Sequence, residues 1–236
     1  MSKQTRKHCF NFRGSLGLAD AGSETGNPFV KAITASAGSP VVQGINGGGL
    51  RLQLASNSES ENVCVYMGDV LPFLLSELIS VEIIAKCSAS LDANTQIAIG
   101  LASARNNTID SIAEAALFRC IGNNTVVAES DDGSTNIDDV PTGVTLGDSW
   151  KRFSLDFVSR ISSMEPPTLS LGRGSNIEFY GTNDNGSKRR VASGTRFDMS
   201  NYSGGLQLFF QIQKASGSAT DYLDILEAEV ITSQSV

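Results

Sequence analysis

A single histidine, His8, stands in a basic, polar stretch near the start of the chain, and a Ser-His-Asp or Cys-His centre needs an imidazole fixed by its neighbours. Read as part of a mobile tail, His8 supplies neither a catalytic base nor a metal ligand. Paired carboxylates are the other route to acid-base chemistry, because acids two apart on a strand turn into one cleft, as glycoside hydrolysis requires. The nearest match is residues 221–229, where Glu227 and Glu229 fall two apart and Asp224 is out of phase. That run reads better as a strand with Leu226, Ala228 and Val230 inward and its acids outward. Residues 131–139 gather oxygen donors suited to a hard cation, but their spacing departs from an EF-hand loop, and a solvated hairpin tip explains them as well. The cysteines Cys9, Cys64, Cys87 and Cys120 contain no C-x-x-C pair. The last three sit in apolar runs, where a thiol serves as a small buried hydrophobe. We therefore expect no catalytic residue, no metal site and no cofactor.

What the sequence does offer is a surface for contact. Over residues 205–214, Leu206, Leu208, Phe210 and Ile212 alternate with Gln207, Phe209, Gln211 and Gln213, so the second set faces away from the core. An ordinary wet sheet face does not usually line up a phenylalanine with three glutamines. Amides beside an aromatic ring suit a partner, whether protein or glycan. Trp150 opens the run 150–157, in which Phe153, Leu155 and Phe157 form the core face, and it reads as a lid on a sheet edge.

The elements that must position this row are strands. Alternation or apolar runs predict strands at 50–54, 62–67, 78–87, 95–102, 115–121, 125–129, 150–157, 175–180, 188–192, 205–214 and 222–231. Asn185-Gly186 accepts the positive φ angles of a tight hairpin turn, so 177–180 should pair with 189–192. The best helical candidate is 108–116, where Ile109, Ile112, Ala113 and Ala116 share a face. Pro166-Pro167 marks a surface excursion. Frequent turn signals between short strands predict an all-β chain, an antiparallel two-sheet β-sandwich of jelly-roll or lectin-like form. Residues 1–49 read as a mobile arm and a Gly/Ser-rich extended region packed on the domain, and residues 50–236 as the sandwich itself.

Charge bounds the partners. The formal net charge is -7 over 236 residues, which gives no field to gather nucleic acid phosphates. Acids crowd 110–148 and bases follow over 151–196, two lobes that can meet between copies or simply stay solvated. No apolar run approaches the roughly twenty residues of a membrane span. The basic start lacks the apolar stretch of a secretory signal, and unpaired cysteines fit folding in a reducing cytoplasm.

The segments 116–120, 126–133, 150–157, 195–200 and 205–215 resemble structural proteins encoded beside the capsid genes of tailed bacteriophages, over roughly residues 50–231. The resemblance implies a concanavalin-like or jelly-roll sandwich and a virion role as a head decoration or cement protein. Its partners would be the major capsid protein and sister subunits, arranged as a homotrimer on the capsid surface. It carries no catalytic motif. The alternative expectation is a lectin-like module of a phage appendage that binds glycan.

Overall fold

The computed structural model describes residues 3–12, 18–20, 27–160, 169–171, 175–182 and 186–235. In chain order the strands are β1 (Lys3–Asn11), β2 (Ala19–Asp20), β3 (Val30–Ala35), β4 (Val41–Gly44), β5 (Leu50–Gln53), β6 (Glu61–Tyr66), β7 (Phe73–Leu74), β8 (Leu78–Cys87), β9 (Thr95–Ala102) and β10 (Glu114–Ile121). They continue as β11 (Thr125–Asp132), β12 (Asn136–Thr145), β13 (Lys151–Arg160), β14 (Leu169–Leu171), β15 (Asn176–Thr182), β16 (Lys188–Val191), β17 (Phe197–Asp198), β18 (Gly205–Lys214) and β19 (Tyr222–Ser235). A ten-stranded sheet runs β16-β15-β13-β8-β19-β5-β4, with β14 on β13, β17 on β15 and β1 on β19. A nine-stranded sheet runs β12-β11-β10-β9-β18-β6-β3-β2, with β7 on β18. Pairing is antiparallel except between β2 and β3. This is the expected two-sheet sandwich.

Alternation builds the core as the sequence requires. Leu206, Leu208, Phe210 and Ile212 of one sheet and Phe153, Leu155 and Phe157 of the other are buried between the layers. Phe118 bridges the sheets, with ring centroids 4.9 Å from Phe153 and 5.0 Å from Phe179. Rings at such distances in tilted or edge-on contact add specificity to their apolar burial. Cys64, Cys87 and Cys120 are buried thiols and Cys9 is exposed. Burial pushes the Cys120 thiol up to about 12.

Several expectations need correction. The arm is not an arm: β1 pairs along β19 from Lys3 opposite Ser235 to Asn11 opposite Glu227. β5 occupies β19 only over Tyr222–Ile225, so the rest of that edge is open to β1, whose ladder needs backbone groups and no apolar alternation. Phe12 and Phe29 then anchor the region to Phe210, at 6.0 and 6.3 Å. His8 is consequently held on a strand, 5.4 Å from the Phe73 ring. The candidate helix is a single 3-10 turn at Ile109–Ser111, with Ile112 and Ala113 leading into β10. Residues 136–139, assigned to a hairpin tip, belong to the edge strand β12, which is kinked by register shifts against β11 and by Asp139 at φ 53°. A register shift between Ile225 and Glu227 in β19 absorbs one residue, so Asp224 shares the outer face with Glu227 and Glu229 while Leu226 is only partly buried. The predicted hairpin is present, with Phe179 opposite Val191 and Tyr180 opposite Arg190, and Gly186 has φ 79°. Asn185, Pro166 and Pro167 lie outside the described residues.

Candidate functional site

The row Gln207, Phe209, Gln211, Gln213 does face away from the main core, on the outer side of the nine-stranded sheet. Its accessibility is not what the alternation predicts, since Gln207, Phe209 and Gln211 are all 0 % exposed. The β9–β10 hairpin loop, residues 103–113, folds back over them. Ile109 and Ile112 from that loop join Ala32, Cys64, Tyr66, Ala98, Ala102, Ala115, Leu117 and Phe209 in a second, smaller core. Small residues make the space. At Gly100, directly between Phe209 and Leu117 in the ladder, a Cβ would meet the Ala116 carbonyl oxygen at 2.2 Å.

Gln207 is accordingly structural: its Oε1 accepts from the amides of Met67 and Asp69, each at 3.0 Å, and its Nε2 donates to Asp69 Oδ1 at 2.7 Å. Gln213, at the other end of the row, reaches an open cleft of about 380 Å³ lined by Thr34, Ser60, Glu61, Asn62, Asn94, Gln96, Asn107, Thr108, Asp110, Lys214 and Ala215. Register sets its floor. Thr34 lies opposite Asn62, Asn62 opposite Gln213, and Gln213 opposite Gln96. Strands about 4.8 Å apart thus present one hydroxyl and three amides in a line.

Hydrogen bonds join the line into a network. Asn62 Nδ2 donates to Asn107 O at 2.9 Å and to Gln213 Oε1 at 3.3 Å, and Gln211 Nε2 donates to the same Oε1 at 2.9 Å. Gln213 Nε2 donates to Gln96 Oε1 at 3.1 Å, which also accepts from Arg119 Nη2 at 3.4 Å. Arg119, on β10, bonds Glu129 of β11 and, at 2.5 Å, Asp110 of the covering loop. Burial works against the Arg119 charge, but the two carboxylates more than offset it and keep the guanidinium ionised. Burial likewise lifts Glu129 above the usual carboxylate range, partly opposed by Arg119. At the cleft wall, fully buried Lys214 donates to Ala55 O at 2.6 Å and Asn57 O at 2.7 Å and lies 3.6 Å from Glu61.

Other candidates are engaged elsewhere. Asp132 accepts from Ser134 N and Thr135 N with Oδ1 and from Asn201 with Oδ2, and Asp131 Oδ1 accepts from Gly133 N. Glu227 and Glu229 lie on the ten-stranded sheet, and Glu229 pairs with Lys7 at 2.6 Å. Trp150 stays exposed with Lys86 Nζ 4.9 Å from its ring. Thr34, Asn62, Gln96 and Arg119 escaped the sequence reading because only register brings them together.

No protein-family model and no curated protein matches the chain in sequence. Its fold is similar to that of solved structures. The β-glucanase of Bacillus licheniformis matches with a TM-score of 0.55 and 12 % identity, covering 92 % of this chain and 97 % of that one. The exoplasmic/lumenal domain of VIP36, bound to Ca2+ and Man3GlcNAc, gives 0.53 and 10 %, covering 93 % and 88 %. Peanut lectin gives 0.51 and 11 %, covering 99 % and 100 %. The chain therefore has a concanavalin-like β-sandwich fold, shared with lectins and with a glucanase.

Proposed function

We propose that this chain is a carbohydrate-binding sandwich that holds its ligand in the cleft on the nine-stranded sheet and does not turn it over. The observation that carries the reading is the line Thr34–Asn62–Gln213–Gln96, uncharged donors and acceptors that match sugar hydroxyls in type and spacing. Binding rather than hydrolysis is supported by the acids lining the cleft, which are held in ion pairs: Glu61 with Lys214 and Asp110 with Arg119. Glycoside hydrolysis needs a pair of carboxylates flanking the scissile bond, and these two are committed to cations. The test is a glycan array that includes β-glucan oligosaccharides and Man3GlcNAc. Specific retention, lowered about tenfold or more by Gln213→Ala and by Asn62→Ala in folded protein, supports the reading. Retention of no saccharide rejects it, and release of shortened sugars with time rejects the non-enzymatic part.

The second reading, a decoration protein bound to the major capsid protein and to sister subunits on a virion surface, rests on the sequence resemblance. One structural feature favours it: edge strand β12 carries exposed Asp138 and Asp139, edge strand β16 carries exposed Lys188, Arg189 and Arg190, and the two strands meet where Arg189 Nη2 donates to Gly143 O at 2.8 Å. Opposite charges on neighbouring edges suit self-association. Addition of purified protein to capsids lacking it tests this role.

A further inference from the structure

The covering loop is held unlike a permanent part of the core. Its ends are pinned together, with Ser103 N donating to Glu114 O at 2.9 Å and Ser103 Oγ to Glu114 Oε2 at 2.6 Å, so residues 103–113 form an Ω-like flap that can swing without unpairing β9 from β10. Polar contacts fasten its free side: Asn107 O to Asn62, Asp110 to Arg119, and Arg105 Nη2 to Thr34 Oγ1 at 3.1 Å. Closure also leaves polar atoms stranded. Of six buried side-chain polar atoms without a partner among the described residues, four belong to this face: Asn62 Oδ1, Gln211 Oε1, Arg105 Nε and Arg119 Nε. Buried polar groups without partners are destabilising, and such groups gathered at one contact mark a contact ready to open. Turning the Asn62 amide over would set its oxygen against Asn107 O and Gln213 Oε1, so the orphan is fixed by its neighbours.

We propose that residues 103–113 are a displaceable lid, and that beneath it Tyr66, Phe209 and Gln211 form a second subsite that takes the apolar face of a saccharide ring. The inference rests on the carbohydrate reading above and extends it. Tyr66 and Phe209 are direct cross-strand neighbours, with Gln211 next in line and its Oε1 free to accept a hydroxyl. Aromatic rings flanked by an amide are what the open cleft lacks, and Ile109 and Ile112 fill their place when the lid is closed.

Cys64 reports the lid directly, because it lies in the small core under the flap, opposite Gln211, while Cys87 and Cys120 lie in the main core. In a Cys9→Ser background, native protein is treated with 5,5'-dithiobis(2-nitrobenzoate) and the modified peptides are identified by mass spectrometry. Cys64 is expected to react about tenfold or more faster than Cys87 and Cys120, and Asp110→Asn to raise its rate about tenfold again. Equal rates at all three thiols, the mark of global unfolding alone, overturn the lid. For the subsite, Phe209→Leu keeps an apolar side chain but removes the ring, and about a tenfold loss of β-glucan trisaccharide or Man3GlcNAc retention is expected. Unchanged retention confines the ligand to the outer cleft and overturns the subsite while leaving the proposed function intact. Retention of neither saccharide removes both the function and the subsite, whereas the lid is still judged by Cys64.

Discussion

The outer faces of the two sheets solve the same problem in opposite ways. On the ten-stranded sheet, charged side chains pair across strands, with exposed cations on partly or fully buried acids: Arg152 with Glu82 at 2.9 Å, Arg190 with Glu178 at 3.1 Å and Lys188 with Asp156 at 3.9 Å. On the nine-stranded sheet the polar groups are amides and buried ions, roofed by a loop. An exposed ladder keeps its charges hydrated and contributes little stability. A roofed face fixes each polar group in one orientation, and so it can discriminate between ligands. On the proposed carbohydrate-binding reading, recognition belongs to the roofed face.

The largest expected effect lies at the cleft wall. Lys214→Met strips the cation from Glu61 and the donors from two carbonyls, and should lower stability by about 3–5 kcal/mol in urea unfolding. Asp224, also on that sheet, is 0 % exposed and gripped by Arg51 through two bonds of 2.7 and 2.8 Å. Asp224→Ala should lower stability by about 3 kcal/mol by the same assay, since it leaves a partly buried guanidinium unpaired. Arg152→Ala, on the open ladder, should shift stability by less than about 1 kcal/mol. A loss as large as that at Lys214 would erase the distinction between the faces.

Acid titration sharpens the comparison. Burial raises the Asp156 carboxyl, and Lys188 only partly opposes it. A folded state that holds its proton more tightly than the unfolded chain is penalised above its own pKa and relieved below the unfolded value of about 3.9. Asp156→Asn should therefore stabilise the protein at neutral pH, with the gain fading as pH falls through the native Asp156 pKa. Asp132 has the opposite sign. Burial pushes it up, but bonds from Thr135, Asn201 and Ser134 together draw it below the usual range. Its contribution is present above about pH 3.9 and is lost as pH falls through the lowered native value, so Asp132→Asn should flatten the acid limb of the stability curve.

How far the sequence discloses this molecule follows from which interactions leave a local mark. Strands such as β13 and β18 are legible because a core face forces period two on Phe153, Leu155 and Phe157 or on Leu206, Leu208 and Phe210. β1 left no such alternation, because Lys3–Asn11 joins β19 through a backbone ladder and a Lys7–Glu229 ion pair. The facing of the Gln207–Gln213 row was legible, but its roof was not. Ile109 and Ile112 share a face in a helix as readily as they plug a sheet, and nothing local reports where a hairpin loop folds. The cleft was hidden for the same reason, since Thr34, Asn62, Gln96 and Gln213 are strangers in sequence until register makes them a row.

The most direct test of the division between faces is an NMR titration of the labelled protein with whichever of β-glucan trisaccharide or Man3GlcNAc is retained on the array. Amide shifts confined to β3, β6, β9, β18 and residues 103–113 are the predicted result. Shifts centred on β8, β13 and β15 would place recognition on the charged face and contradict the account.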